Sequence, residues 1–300
     1  MSLQLSPQRS GHDFAPLLSL TNLGTLSFDR ECGHRQGFVD VLPQLRSVTK
    51  LQSAGYYSDM DPAFGESIAR CSGLKAFDCL NDFVWELEWS NMSEVFQLTQ
   101  LTELTASFRW NLLPELCCLT LLEHLHLNVD FDDDCTLDVA LSAMPQLQTV
   151  GIQFADVIWE GGERLAGRLR LSGDALAEMH RLRSLLLYFV DIDESFFHVL
   201  ASKTGLTKLD FASSEHRSYS RDFMSELNLL RNLEELTLAL QEEYSVGDLL
   251  LPERLAKLKR LNVKGNEAEV ASLSRKFNQH GHGVLVNYEK ESPWRSRFTA

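Results

Sequence analysis

The sequence predicts an α/β solenoid of about ten repeats, with a curved parallel sheet on its concave face and short helices and turns on its convex face. Three observations predict it. First, the phrase Leu-x-x-Leu-x-Leu, or a near relative, recurs along the chain. Its clearest copies begin at Leu122, Leu182 and Leu233. Second, the copies return at spacings within the range of 20 to 50 residues that marks a repeat array. Third, Leu125-His126-Leu127 and Leu236-Thr237-Leu238 alternate apolar with polar residues, the period of a strand with one face buried. One such phrase cannot bury its own leucines, whereas stacked copies can.

The first leucine of each phrase serves as an anchor. The anchors are Leu23, Leu45, Leu74, Leu101, Leu122, Leu147, Leu182, Leu206, Leu233 and Leu258, spaced by 22, 29, 27, 21, 25, 35, 24, 27 and 25 residues. Strands related by near-translation run parallel, so the inward leucines form continuous apolar rows. Segments between strands carry the chain back to the start of the next one. Residues 222–230 and 194–201 place apolar side chains at helical spacing. Residues 172–179 offer N-capping oxygens ahead of a short helix, and 138–144 read the same way. Residues 111–115, which include Pro114, fit a turn or one loose helical turn.

These phrases, with the unit from Cys135 to Leu147, resemble leucine-rich-repeat proteins over about residues 20 to 263. The repeat length of about 26 and the helical returns resemble the ribonuclease-inhibitor-like and F-box-associated types. The resemblance implies a sheet whose outward positions meet a partner protein. Many members carry Asn or Cys eight positions after the anchor. Here that column reads Glu31, Ser53, Asp82, Arg109, Asp130, Ala155, Val190, Ser214, Gln241 and Asn266, of which Asn266 alone fits. The sequence thus departs from the pattern at its turns.

Repeat arrays need capped ends. Residues 1–19 form an N-terminal cap or partly ordered segment, and 20–288 the solenoid with its C-terminal cap. That cap is a helix over 268–277 and a strand over 284–288. Residues 289–300 read as a flexible tail.

The 300 residues carry a formal net charge of -14 and a pI near 5.1. Phosphate binding needs clustered Lys and Arg, so the balance argues against nucleic acid and anionic membrane surfaces and favours a protein partner with a basic patch. No run approaches a membrane span, and the start lacks a signal-peptide core. Six cysteines occur without a C-x-x-C, as expected of free thiols in a cytoplasmic monomer. No nucleophile elbow, phosphate loop, dinucleotide fingerprint or zinc-protease motif is present, so neither cofactor nor enzymatic activity is expected. A catalytic Cys117 or Cys118 is the enzymatic alternative. Their apolar context, Leu116 to Leu119, implies burial and inertness.

Counting two, four, six and seven positions from each anchor gives the outward residues. Repeats four to seven then bring together Phe108, Trp110, Val129, Phe154, Leu186, Tyr188 and Phe189, an aromatic patch of the kind that dominates interfaces. The competing reading has the strand-end aromatics turned inward to fill the core. Leu186 and Tyr188 read as outward because they alternate with core leucines. His124 and His126 share one strand face. No third ligand is placed by spacing, so they read as contact residues and not as a metal site. Asp130–Asp134, with Asp156 and Glu160, reads as an acidic rim that steers a basic partner or as a solvated loop. The long interval after Leu147, over 158–178 with its glycines and arginines, reads as an insertion. The functional expectation is a non-enzymatic interaction module that binds a protein on its concave face. The alternative is the substrate-recognition part of a ubiquitin-ligase complex lacking its own F-box.

Overall fold

In the computed structural model, residues 1–5, 13–33, 35–54, 62–79, 89–130, 135–154, 169–188, 190–192, 194–212, 225–239, 250–264, 267–281 and 283–288 are described. The chain divides into two compact units. The first carries β1 (Ser2–Gln4), β2 (Thr25–Asp29), β3 (Lys50–Ala54), β4 (Ala76–Cys79), β5 (Glu103–Arg109) and β6 (His124–Asp130). Each pairs in parallel with the next, one repeat on. The second unit has six strands in the same relation: β8 (Thr149–Phe154), β10 (Ser184–Tyr188), β12 (Lys208–Ala212), β13 (Glu235–Ala239), β14 (Arg260–Lys264) and β15 (Leu285–Tyr288). Parallel pairing of sequential strands, each returned by a helix or turn, is the leucine-rich-repeat arrangement.

Each anchor closes a tight turn. The N–H of Leu23, Leu74, Leu101, Leu122, Leu147, Leu182, Leu206, Leu233 and Leu258 donates to the carbonyl three residues before it. The strand starts two residues after the anchor, and the carbonyl between accepts two successive N–H groups from the next repeat. Thus Gly24 O receives Thr49 and Lys50 at 2.9 and 3.0 Å, and Thr207 O receives Glu234 and Glu235 at 2.7 and 3.0 Å. The Thr49, Thr102 and Thr207 hydroxyls add a bond each to the same carbonyls. The second repeat corrects the expectation. Lys50 opens β3 two residues after Val48, and Val48 N donates to Leu45 O at 3.0 Å, so Val48 is the anchor and not Leu45. The spacings of 22 and 29 become 25 and 26.

The inward row at the second strand position is Leu26, Leu51, Phe77, Leu104 and Leu125 in the first unit, and Val150, Leu185, Leu209, Leu236 and Leu261 in the second, all buried. The returns close over it. In the first unit α1 (Arg30–Gly33), α2 (Gln36–Val41) and α3 (Pro62–Ala69) follow their strands. The Phe38 ring of α2 lies 5.1 Å from Phe28 of β2, and Phe64 of α3 lies 5.4 Å from it. Ser67 of α3 is wholly buried because its hydroxyl donates to Val39 O. Residues 111–115 belong to a longer 3-10 run, Trp110–Cys118, with Pro114 inside it.

The second unit returns through α4 (Asp138–Ser142), α5 (Gly173–Glu178) and α6 (Glu194–Ser202). A short parallel ribbon of β7 (Cys135–Thr136), β9 (Leu169–Leu171) and β11 (Asp191–Ile192) leads into them. It was not anticipated from the sequence, since two or three residues carry no period. Helix N-termini expose N–H groups that need acceptors. The neighbouring repeat supplies some of them: Ser172 N donates to Asp138 Oδ1 at 2.9 Å, and Gly173 N to Ser195 Oγ at 3.0 Å. Ser172 caps α5 by accepting from Asp174 N. At the far end of α5, buried Lys203 reaches back to donate to Ala177 O at 2.8 Å. This satisfies a terminal carbonyl and sets a cation at the negative end of the helix. Burial lowers the Lys203 pKa, opposed by the Glu178 carboxylate.

At the C-terminal end α7 (Glu267–Gln279) buries Val270, Leu273 and Phe277, and β15 follows it. At the other end Ser2–Gln4 joins β2 as a strand, and Met1 O accepts both Gly24 and Thr25 N–H. No helix among the described residues is long and apolar enough to cross a membrane.

Candidate functional site: the outward face of the strands

Alternation along each strand sends the first, third and fifth residues to the face opposite the leucines. Register aligns them into rows. In the first unit the first-position row is Thr25, Lys50, Ala76, Glu103 and His124, and the third-position row is Ser27, Gln52, Asp78, Thr105 and His126. In the second unit these rows read Thr149, Ser184, Lys208, Glu235, Arg260 and Gly151, Leu186, Asp210, Thr237, Asn262.

Access falls from strand start to strand end. Glu103, Thr105, His124 and His126 are half-buried, whereas Ser107 and Asn128 further along the same strands are buried. In the second unit the change comes sooner. Ser184, Lys208 and Glu235 are half-buried and Arg260 is exposed, while Leu186, Asp210 and Thr237 in the next row are buried. In each unit the accessible surface of the strands is therefore a polar band at the strand starts.

The band is held together across strands. Lys50 Nζ meets Glu103 Oε2 at 3.4 Å, reaching past Ala76, which is too short to intervene. Ser27 donates to Gln52, and Gln52 to Asp78. In the second unit Glu235 lies between Lys208 at 3.7 Å and Arg260 at 2.9 Å. Beside them Asn287 donates to Asn262 at 2.9 Å and Asn262 to Thr237 at 3.3 Å. Exposed pairs of this kind contribute only about 0–1 kcal/mol each. Their effect is to hold long side chains in place, which lowers the entropy lost when a partner binds.

The sequence-predicted residues divide accordingly. His124 and His126 lie on the accessible band. Phe108 does not: it is 1 % exposed, with its ring 5.3 Å from Phe96. The strand β5 runs through Arg109, so alternation continues and the seventh position after the anchor falls on the core face. Val129 is buried for the same reason. Leu186 and Tyr188 also require correction, being 5 % and 0 % exposed. Alternation assigns the face of a residue, not its access to solvent. Trp110 opens the 3-10 run and Phe154 closes β8, with both side chains outside the described residues. Phe189 lies outside them, as do 131–134, Asp156 and Glu160 of the acidic rim, 158–168 of the insertion and the tail over 289–300. The rest of that insertion is regular: β9 and α5 occupy it.

No group of three or more His, Cys, Asp or Glu side chains that could hold a metal ion occurs among the described residues. On the helix side of the second unit, a cleft of about 340 Å³ is lined by His180, Val199, Lys203 and Thr204. The ammonium in it already serves as the α5 cap. Among the thiols, burial pushes Cys32 up to about 11, with Asp29 adding to the shift, and Cys71 up to about 12. Burial raises Cys79 further. Cys118 departs from expectation. It is exposed, and Cys117 is half-buried, because the 3-10 run turns both away from Leu116 and Leu119, which are fully buried.

No family model matches the sequence, and no curated protein matches it. Among solved structures the chain is similar to internalin C2 of Listeria monocytogenes at 16% identity, over 66% of this chain and 73% of that one, with a TM-score of 0.40. It is also similar, at 16% identity, to the protein of a TLR13–ssRNA13 complex, over 89% of this chain and 45% of that one, with a TM-score of 0.36.

Proposed function

We propose that this protein is a non-enzymatic interaction module that binds a partner protein through the polar bands at the strand starts of its two units. The observation that carries the reading is the contrast along the strands. Half-buried, hydrogen-bonded polar side chains line the starts, while Phe108 and Tyr188, the two aromatic residues of the expected patch whose side chains are described, are buried. The signs in the band alternate, as Lys50 with Glu103 and Lys208 with Glu235 and Arg260 show. Such a face selects a partner by complementary placement of charges and hydrogen bonds more than by one basic patch. The five cysteines whose side chains are described are free thiols, which suits a reducing compartment.

Charge reversal tests this reading. Lys208→Glu combined with Arg260→Glu leaves the leucine rows untouched; it sets two further carboxylates beside Glu235 and should lower the melting temperature by a few degrees without unfolding the chain. The double variant should lose a protein that the wild type enriches from its native extract, by tenfold or more. A control reversal on the helix side, Glu226→Lys, whose carboxylate lies 3.0 Å from His198 Nδ1 of α6, should retain that protein. Equal recovery with all three chains would contradict the assignment. Co-recovery of ubiquitin-ligase subunits with that protein would favour the substrate-recognition role within this class.

A further inference from the structure

We infer that the cleft on the helix side of the second unit, lined by buried Lys203 and left open by Gly205, binds a small organic carboxylate at a site separate from the polar bands. A buried charge is ordinarily paired. Lys203 is 9 % exposed, and its Nζ donates to Ala177 O at 2.8 Å, a neutral carbonyl. An ammonium has three N–H donors, so two are left without an acceptor among the described residues. No carboxylate among those residues lies within ion-pair distance of it, and Glu178 acts on it only through its field. The described chain thus supplies the cationic half of an ion pair.

The repeat explains why the cleft is open. In several repeats the residue before the anchor reaches back to a carbonyl of the preceding turn. Ser47 donates to Leu20 O at 3.4 Å, Gln100 to Cys71 O at 3.3 Å and Asn232 to Thr204 O at 2.6 Å. Gly205 holds that position before Leu206 and has no side chain to send over the turn at His180. The resulting space of about 340 Å³ is bordered by both residues. Small-molecule sites run from about 300 Å³ upward. Leu182 and Val199 give the space apolar wall. His180 and Thr204 are exposed at its rim, and their side chains have no hydrogen-bond partner among the described residues. One buried ammonium matches one carboxylate, and the apolar wall matches a short hydrocarbon body.

The test uses the intact chain and 4-fluorobenzoate, followed by fluorine NMR. Saturable line broadening is expected, and the neutral isostere 4-fluorobenzamide should show none. Lys203→Met keeps an unbranched stem and removes the charge. It should weaken binding by about tenfold or more, the range for losing a charge-assisted hydrogen bond. Gly205→Gln leaves Lys203 and α5 in place and sends an amide over the turn, as Gln100 and Asn232 do. A Cβ there would meet Leu182 O at an ordinary 3.5 Å, so the position accepts a side chain. This variant should weaken binding as much, and it decides the matter even if Lys203→Met fails to fold. Lys259→Met, at an exposed lysine just ahead of β14, should bind as the wild type does. An equal concentration of inorganic phosphate, which has no apolar body, should not displace the benzoate. No saturable binding, equal binding of the amide, displacement by phosphate, loss in Lys259→Met or undiminished binding in Gly205→Gln would overturn the inference.

Discussion

Phe108→Ala should cost about 3–5 kcal/mol of folding stability, the range for removing a buried aromatic ring from a packed core. The ring is 1 % exposed and sits against Phe96, whose own side chain is 5 % exposed. It lies in the longest strand pairing of the first unit: β5 and β6 pair over seven positions and bring Phe108 opposite Val129. Neither neighbour can move far enough to fill the space, since Val129 is held by β6 and Phe96 by a separate 3-10 run, Trp89–Gln97. Urea unfolding reads the loss directly, provided the slope of the transition is unchanged. A loss under about 1 kcal/mol would mean that the ring is on the surface, as an aromatic contact patch requires.

Gly173→Ala should destabilise by about 1–3 kcal/mol, the usual range for overpacking. Helix propensity alone predicts the opposite sign, because alanine in a helix is favoured over glycine by about 0.8–1.0 kcal/mol. The close approach of α5 to α6 decides it. A Cβ at Gly173 would meet the Ser195 carbonyl carbon and oxygen at 2.7 Å and its Oγ at 2.8 Å. The hydroxyl can rotate, at the loss of its bond from Gly173 N, but the backbone atoms cannot. Gly205→Ala is the matched control. There the added carbon would lie 3.5 Å from Leu182 O, an ordinary contact, and stability should change by no more than about 0.5 kcal/mol. Thermal or urea melts of the pair give the comparison. Equal stability of both variants would show that the helices do not approach as described.

The leucine rows were legible because each anchor makes the same turn and each strand the same alternation. Nine of the ten expected anchors close the turn that precedes a strand. The tenth was displaced because valine fills the anchor position in that repeat, and a reading keyed to leucine settled on Leu45, three residues early. The first strand was invisible for a related reason: Ser2–Gln4 has no anchor before it and is recruited by Met1 O. Short helices such as α5 and α6 showed in their apolar spacing, and the Ser172 cap in its residue type. The β7–β9–β11 ribbon did not show, since its pairing depends on how neighbouring returns stack.

The candidate site was legible in part. Its polar rows follow from counting positions, and His124 and His126 fall where the count places them. The aromatic centre does not, and the two causes differ. Phe108 and Val129 were assigned outward by counting the seventh position after the anchor as outward, whereas β5 and β6 continue through it and alternation returns those residues to the core. Leu186 and Tyr188 do lie in outward rows, aligned with Asp210 and Ala212. What the sequence does not encode locally is that these rows are inaccessible, because burial there depends on the whole fold. The cross-strand bonds of Glu235 with Lys208 and Arg260 were likewise hidden, since they join residues 25 to 27 positions apart.

Site-specific photo-cross-linking tests the central claim most directly. A photoreactive side chain is placed singly at His124 and Glu235 in the band and at Val139, which is 70 % exposed on α4. Partner binding at the strand starts predicts that His124 or Glu235 captures the enriched protein and that Val139 does not. Capture from Val139 alone would contradict it and move the interface to the helix side.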